Sequence, residues 1–437
     1  MKALSNDLQV TQSAGGYLVS GKYVRQPALR CIFTHKSGSP TYDYSFNPTL
    51  NTNKLLHALQ IEEVQSDSGK VLLKNQDLSV PPDLTGYYVD FGWGLNTLAG
   101  VKWASADGAV TPRLWVMSQL DNSGAPKGGI PDLYVVFQLA GVWSAVLNVQ
   151  PLRVGTAPYY QDETGAMAGM TIYSVLEYLI ETTLSTQTGL TFTLDALGDQ
   201  DDGLINSTAL KPFPIVASGS FVVGEVYRIL TVETTDYVTE QGASANTIGV
   251  QFTAIAAGTG TGTATTTLID FNKDTPTKFD TYGGFISRLL SLTNCKLRVK
   301  PGLGFKLIYP QTSDDVNETY YSNMAFGHPF YEVQNQRLNM TPNHIEVYGD
   351  DDPTSGIFGE WYDPDHYTTP PTYNGDFMPV TETVYQPGFT TDQQCTDFAA
   401  SLGKQKKDVL FGGRVIVPMD SRTELWDRGQ VNNSRGL

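Results

Sequence analysis

Cysteine is scarce in this chain: three in 437 residues, Cys31, Cys295 and Cys395, far apart and odd in number. That excludes a secreted disulfide framework and a cysteine-based zinc site, and it fits buried thiols in a chain assembled in a reducing cytoplasm. Histidine is scarce as well. His35, His57, His328, His344 and His366 are scattered, none at a metal-ligand or general-base spacing with a partner. Charged residues make up only 17% of the chain, and their balance is acidic, at −16. Phosphate binding needs a clustered cationic surface, so sequence-specific nucleic-acid binding and an anionic membrane are excluded as main partnerships. The densest basic group, Lys404, Lys406 and Lys407, falls on a predicted helix end, where it complements the dipole. No run of about 18 apolar residues occurs, and MKALSNDLQV lacks an apolar core of signal-peptide length. A soluble chain is expected, without stable membrane insertion or a classical export signal.

Catalytic patterns are missing too. HExxH, GxSxG, GxxxxGK[ST] and CxxC are all absent. The glycines Gly258, Gly260 and Gly262 lead into threonine-rich strand residues, not a helix N-terminus, and do not make a phosphate loop. Asp199, Asp201, Asp202 and Gly203 resemble the start of a calcium loop, but position 210 is leucine where the closing glutamate belongs. A solvated turn is expected there, and likewise at Asp350, Asp351 and Asp352 before Pro353, with a divalent metal as the alternative. Paired glycosidase carboxylates need only meet in space, and nothing in the sequence points to them. No catalytic residue, cofactor or metal ligand is therefore assigned, and no enzyme activity is expected.

What is abundant is turn and strand chemistry: Gly 42, Pro 24 and Tyr 23. At this length the prior favours three or four modules, and the class expected is mainly β with minor α. Residues 1–155 read as a β-barrel-like domain. VLLKNQ, GYYVDFGWG, RLWVMSQL and DLYVVFQL are strand-length runs between Pro, Gly and Asp turns, and NKLLHALQI (53–61) is the only short helix candidate. Trp93, Trp103, Trp115 and Trp143 belong to the core or inner face, with sugar stacking the minority alternative.

The middle is expected as α+β elements, 156–214 together with 269–330. Tyr282, Phe285, Ile286, Leu289 and Leu290 recur at helical spacing, with Asp280 or Thr281 placed to cap the first turn and Asn294 near the end. Lys296–Lys300 then alternates, and Pro301-Gly302-Leu303-Gly304 turns the chain into Phe305–Tyr309. The same order occurs earlier, where Ile172, Val175, Leu176, Leu179, Ile180 and Leu184 form a stripe capped by Thr171, closed by Gly189 and followed by LTFTL. Between the two copies, residues 215–268 are rich in Thr and Gly without helical period, and read as an inserted small all-β domain. Residues 331–437 read as a second β-barrel-like domain. NHIEVYGDDDP opens it, 358–387 is expected as a long Tyr/Pro loop or arm, a helix starts near Asp392, and GRVIVP and ELWDRGQVNNSRG close it.

The order of these parts resembles the baseplate or tail-tip hub proteins of tailed bacteriophages. The resemblance is carried by VLLKNQDLSVPPDLTGYYVDFGWG (71–94) for the first barrel, and by TIYSVLEYLIETTLSTQTGLTFTL with TYGGFISRLLSLTNCKLRVKPGLGFKLIYP for the paired middle elements. NHIEVYGDD with GRVIVPMDSRTELWDRGQVNNSRG carries it for the closing barrel. The insert separately looks like a small β module that recurs in virion proteins; minimal hubs have no counterpart of it. The resemblance implies a homotrimeric ring in the virion tail. That ring would join the tail tube or distal tail protein to the tip or spike and fibre proteins, grip the tape-measure protein and form part of the genome-ejection conduit. An acidic wall suits a conduit, because it repels passing DNA. No lysozyme-like or spike extension follows the closing stretch, so built-in cell-wall hydrolysis is not expected. The alternative is a receptor-binding adhesin that recognises host glycan through the insert.

Overall fold

In the computed structural model, the strand runs of the first third pair into one antiparallel sheet of eight strands. The structure describes residues 4–433 except 14–16, 20–21, 25, 104–110, 124–132, 155–156, 159–170, 199–202, 207–214, 248–249, 266–279, 312–313, 323–327, 338–340, 350–355, 376–377, 387–388, 390 and 409–410. The order across the large sheet is Thr41–Asp43, Pro27–His35, Tyr87–Thr97, Leu114–Ser123, Leu133–Gly141, Ser66–Lys74, Leu55–Glu63, with Gly100–Trp103 beside Tyr87–Thr97. Alternation decides the faces. Val71, Leu73, Val89, Phe91, Val135 and Phe137 all point inward into one core with Phe33 and Cys31.

The sheet is an open path among the described residues: Thr41–Asp43 ends it on one side and Leu55–Glu63 on the other. A closed barrel, as read from the sequence, is therefore not seen. Residues 44–54 carry the chain from one end strand to the other, held by Asn53, whose Nδ2 donates to the carbonyls of Asn47 and Leu50, both at 2.7 Å. The helix expected at 53–61 is instead the end strand Leu55–Glu63. It forms a two-residue hairpin with Ser66–Lys74, in which Gln65 takes a left-handed φ of 61°. A helix unread in the sequence, Asn6–Ser13, buries Leu8. It reaches the far end of the chain through Gln12, whose Nε2 donates to Asp420 at 2.6 Å while its Oε1 accepts the Ser421 hydroxyl at 2.9 Å.

Asp67 links the large sheet to the middle of the chain. Its carboxylate accepts the Ser144 N–H at 3.2 Å and so caps the short helix Trp143–Leu147. Burial raises its pKa overall, although the Ser144, Trp143 and Val142 N–H groups pull the other way. Trp143, Val146 and Leu147 then enter a second core with both helix-led elements.

The two elements meet there. Helix Tyr282–Ser291 is capped by Thr281, whose Oγ1 accepts the Gly284 N–H at 3.1 Å, while Asp280 pairs bidentately with Arg288 at 2.7 and 2.8 Å. Its Phe285, Ile286 and Leu289 are fully buried against Val175, Leu176 and Leu179 of the earlier helix. Strand Thr193–Leu194 of the first element pairs in parallel with Gly304–Ile308, the second arm of the Lys296–Val299 hairpin, and completes a three-stranded sheet. The first helix, 172–188, is not α throughout. Its middle, Tyr178–Leu184, is π-wound, and hydroxyls there bond back to the main chain: Thr183 to Leu179 O at 2.8 Å and Ser185 to Ile180 O at 3.2 Å. Gly189, at φ 69°, ends it.

Within 215–268, four strands form a separate sheet in the order Ile215–Ala217, Thr263–Thr265, Val226–Thr231, Gln251–Thr253. Its core is aromatic, from Phe221, Tyr227, Tyr237 and Phe252, and draws only on residues of this stretch. One turn of helix, Tyr237–Gln241, departs from the purely β reading. Asp236 caps it, and the buried Tyr237 hydroxyl lies 3.1 Å from Thr231 O and 3.0 Å from Thr263 O.

Residues 358–387, expected as a loop or arm, carry four strands. Phe358–Tyr362 and Thr381–Tyr385 flank His344–Tyr348 in a three-stranded sheet, and Tyr367–Thr369 with Thr372–Tyr373 form a hairpin above it. Helix Asp392–Asp408 packs on the other face of that sheet, where Cys395, Phe398 and Ala399 meet Ile345 and Val347. The contact is close at Gly403, where a Cβ would lie 2.3 Å from the Trp361 ring. The closing strands pair further off, Phe411–Ile416 with Glu332–Arg337 and Gly429–Asn432 with Glu318–Tyr321.

Candidate functional site

The residues weighed from the sequence do not converge. Cys31, Cys295 and Cys395 are buried free thiols in three separate cores. Burial, and then the Asp392 carboxylate, push the Cys395 thiol up to about 11, and burial with Asp43 pushes Cys31 up as well, so neither supplies a thiolate near neutral pH. Asp199, Asp201, Asp202 and Asp350 to Asp352 lie outside the described residues. Gly203 opens the short helical turn Gly203–Asn206, which buries Leu204 and Ile205. The glycine run serves packing: a Cβ at Gly260 would stand 2.7 Å from Thr235 Oγ1, and Gly258 and Gly260 take φ of 80° and 96°. Lys406 pairs with Glu382 at 2.9 Å, and Lys407 with Asp363 at 2.7 Å. Trp143 is buried and Trp93 packs inward, its Nε1 donating to Gln60 at 3.0 Å, whereas Trp115 packs against the middle core from the sheet's outer face.

Two histidines gain carboxylate neighbours that the sequence reading did not assign. His366 Nδ1 lies 2.8 Å from Asp363 Oδ2, three residues away, and His344 Nε2 lies 3.4 Å from Glu360 Oε2. The first spacing was visible as Asp363-Pro-Asp-His366. The second depends on the pairing of two strands, which no local pattern announces. Asp363 also holds Lys407, so its pair with His366 belongs to an ion network fastening the hairpin to the last helix.

A groove with a cavity volume of about 570 Å3 runs beside the open end of the large sheet, lined by Thr41, Tyr42, Asp43, Tyr44, Asn53, Lys54 and Trp103 among others. Its groups hydrogen-bond without offering a nucleophile or base. Burial first, then Tyr42 and Asp77, push the Tyr44 hydroxyl up to about 12, and Lys54 is tied to Asp77 at 2.7 Å.

The least satisfied surface is the outer face of the large sheet. One half of it is polar: Arg113 stands 3.6 Å above the Tyr88 ring and 3.9 Å from Asp90. The other half is more apolar, with Lys70, Gln138 and Ser118 forming a polar row across it beside Leu59. Register aligns Leu72, Val136 and Leu120 in one row and Ile61, Ser68, Ala140 and Trp115 in another. Leu120 is 61% exposed, Met117 58% and Leu56 50%, and Leu59 and Ile61 are also exposed. Leu55–Glu63 is an end strand whose outward side chains include the apolar Leu59 and Ile61 between His57 and Glu63, with Leu56 exposed at the bulge.

No protein-family model matches the chain, and no curated protein sequence matches it. Solved structures similar in backbone include two tail proteins. The tail protein from Neisseria meningitidis MC58 superposes with a TM-score of 0.49 at 9% identity, over 94% of this chain and 88% of its own. The 43 kDa tail protein of prophage MuSo2 from Shewanella oneidensis gives 0.47 at 7% identity, over 93% and 90%. Scores below 0.5 at such identities do not bear on what this chain does. The described residues present exposed apolar side chains on one sheet face and an open sheet end, and no group of three or more His, Cys, Asp or Glu among them is placed to hold a metal ion.

Proposed function

We propose that this chain is a structural component of a bacteriophage tail, a tip or baseplate hub. It forms a homotrimeric ring that continues the tail tube, holds the tape-measure protein and connects to the tip or spike. The observation that carries the reading is the more apolar half of the large sheet's outer face beside an open end strand. A chain acting alone gains nothing from leaving Leu59, Ile61, Met117 and Leu120 in water, whereas a subunit of a ring buries such a surface. The order of the sequence stretches that resemble hub proteins gives the ring its place in the virion. No cofactor is required, and the acidic balance of −16 suits a wall past which DNA slides.

Sedimentation of the purified chain tests this directly. A trimer is expected, or rings stacked on added tail-tube protein, and Ile61→Lys with Leu120→Lys should leave a folded monomer. A wild-type chain that stays monomeric at high concentration and does not bind tube protein would overturn the reading.

A second reading has its own observation. The 215–268 stretch exposes Val222, Val223 and Ile255 beside its closed aromatic core, a tip suited to touching another molecule. On that reading the chain is an adhesin that binds host glycan through the insert. Joining Pro214 to Asp270 separates the two: the hub predicts unchanged trimers, and the adhesin predicts loss of glycan-array binding.

A further inference from the structure

The three-stranded sheet of His344–Tyr348, Phe358–Tyr362 and Thr381–Tyr385 has one face packed on the last helix, and its other face is chemically organised. Register sets three rows across it. At one end Tyr348, Phe358 and Tyr385 tile a row of rings, with Tyr348 5.0 Å from Phe358 and 5.6 Å from Tyr385 by centroids. At the other end Tyr362 stacks on His344, centroids 4.2 Å apart and planes within 5°. Between the aromatic rows, Glu346 and Glu360 stand directly opposite one another.

Like charges in that position destabilise a sheet. The fold does not neutralise them: Glu346 accepts only the Thr383 hydroxyl, at 3.3 Å, and Glu360 the Tyr362 hydroxyl, at 2.9 Å, with the His344 ring at 3.4 Å. Among the described residues, neither carboxylate is paired with a lysine or arginine. Elsewhere in this region the chain does supply cations to its carboxylates, Lys406 to Glu382 and Lys407 to Asp363. The pair lies on the face opposite the last helix, where, among the described residues, the Tyr367–Tyr373 hairpin covers the Tyr362 end with a ring and not with a cation.

We propose that this face docks a partner protein segment through an arginine side chain, the guanidinium lying against the tyrosine rings and bridging Glu346 and Glu360. Arginine suits the geometry better than lysine, because its planar fork engages carboxylates in bidentate fashion and stacks on aromatic faces. Charge complementarity selects a cation over a neutral sugar, which would meet the rings equally but leave two facing carboxylates unneutralised. The proposal does not depend on the hub reading, since any partner with an exposed arginine would serve.

The test is fluorescence anisotropy of fluorescein-labelled triarginine amide titrated with the full chain at about 0.15 M salt, where general attraction to an acidic protein is screened. Saturable binding is expected. Glu346→Gln with Glu360→Gln should weaken it at least about tenfold, close to 1.4 kcal/mol, with an unchanged circular dichroism spectrum and melting midpoint. Tyr348→Leu with Tyr385→Leu, which keeps both charges, should weaken it several-fold. Removing two exposed carboxylates elsewhere, Glu63→Gln with Asp121→Asn, should change nothing. Trilysine amide should bind more weakly. Equal losses from the two charge-matched pairs, or no loss from the Glu346 and Glu360 pair, would overturn the proposal. Displacement of the peptide by maltotriose would overturn it too, by making the face a sugar site.

Discussion

Truncating Leu289 to alanine measures how firmly the two helix-led elements are joined. The side chain is fully buried where helix 282–291 meets helix 172–188 and the hairpin 296–308. Losing three carbons from that core removes roughly 2.4 kcal/mol of transfer free energy at about 0.8 kcal/mol per methylene. The cavity left behind raises the loss to roughly 3 or 4 kcal/mol. The described residues form four separate cores, so a single melting curve would average over them. Hydrogen exchange read by mass spectrometry on peptides resolves the response. At about 1.4 kcal/mol per tenfold, amides of 172–188 and 282–308 should exchange roughly a hundred to a thousand times faster. Those of 226–265, whose core shares no residue with Leu289, should stay as in the wild type. Leu98→Ala, at a position 84% exposed and outside the proposed ring contact, is the control and should move stability by less than about 0.5 kcal/mol. A change under about tenfold in the two helices, or an equal rise throughout the chain, would refute the reasoning.

Tyr237→Phe should cost roughly 1 to 3 kcal/mol, because it removes the hydroxyl that serves the Thr231 and Thr263 carbonyls, and faster exchange confined to 226–265 would register it. Asp363 lies below the ordinary aspartate value of 3.8: burial alone would raise it, but Lys407, the Asp365 N–H and His366 outweigh that. Its folded pKa is thus below its unfolded one, so its contribution is complete above about pH 4 and is lost as acid approaches the folded value. The tyrosine near-ultraviolet signal of the 367–373 hairpin should fade as the pH falls below about 4, and Lys407→Met should move that transition to higher pH. Native protein at about pH 8 should leave its three thiols unreacted with Ellman's reagent for many minutes, and unfolded protein should release the colour of all three. Rapid native reaction of even one would contradict their burial.

Legibility in the sequence followed the faces. Helix 282–291 and its hairpin could be read because their apolar stripe is clean and Thr281 caps it, and only the cap's identity, Thr281 and not Asp280, needed coordinates. Residues 53–61 misled because an exposed apolar face destroys strand alternation. With Leu56, Leu59 and Ile61 outward and Leu55 inward, NKLLHALQI has apolar residues on both sides and mimics a helix. Helix 6–13 escaped because NDLQVTQS has almost no stripe. The strands in 358–387 were hidden by prolines and by partners that are remote, Thr381–Tyr385 pairing in parallel with His344–Tyr348. The Glu346 and Glu360 pair was hidden for the same reason, because register across strands is a property of the fold and not of any window of sequence. The π-winding of 178–184 leaves the apolar positions unchanged and could not be told from an α-helix by period alone.

The bond from Gln12 to Asp420 spans 408 residues. At ribosomal speeds of about 5 to 20 residues per second, Gln12 is made roughly 20 to 80 s before the residue that receives it. Through that interval the first helix can rest on Tyr87–Thr97 and Gly100–Trp103 but lacks its bond to Asp420. The contact therefore works as a completion mark. A chain truncated before residue 420 can build its large sheet and middle core but leaves Gln12 without Asp420 and Ser421, and that difference gives any assembly step that touches the helix a way to tell finished subunits from unfinished ones.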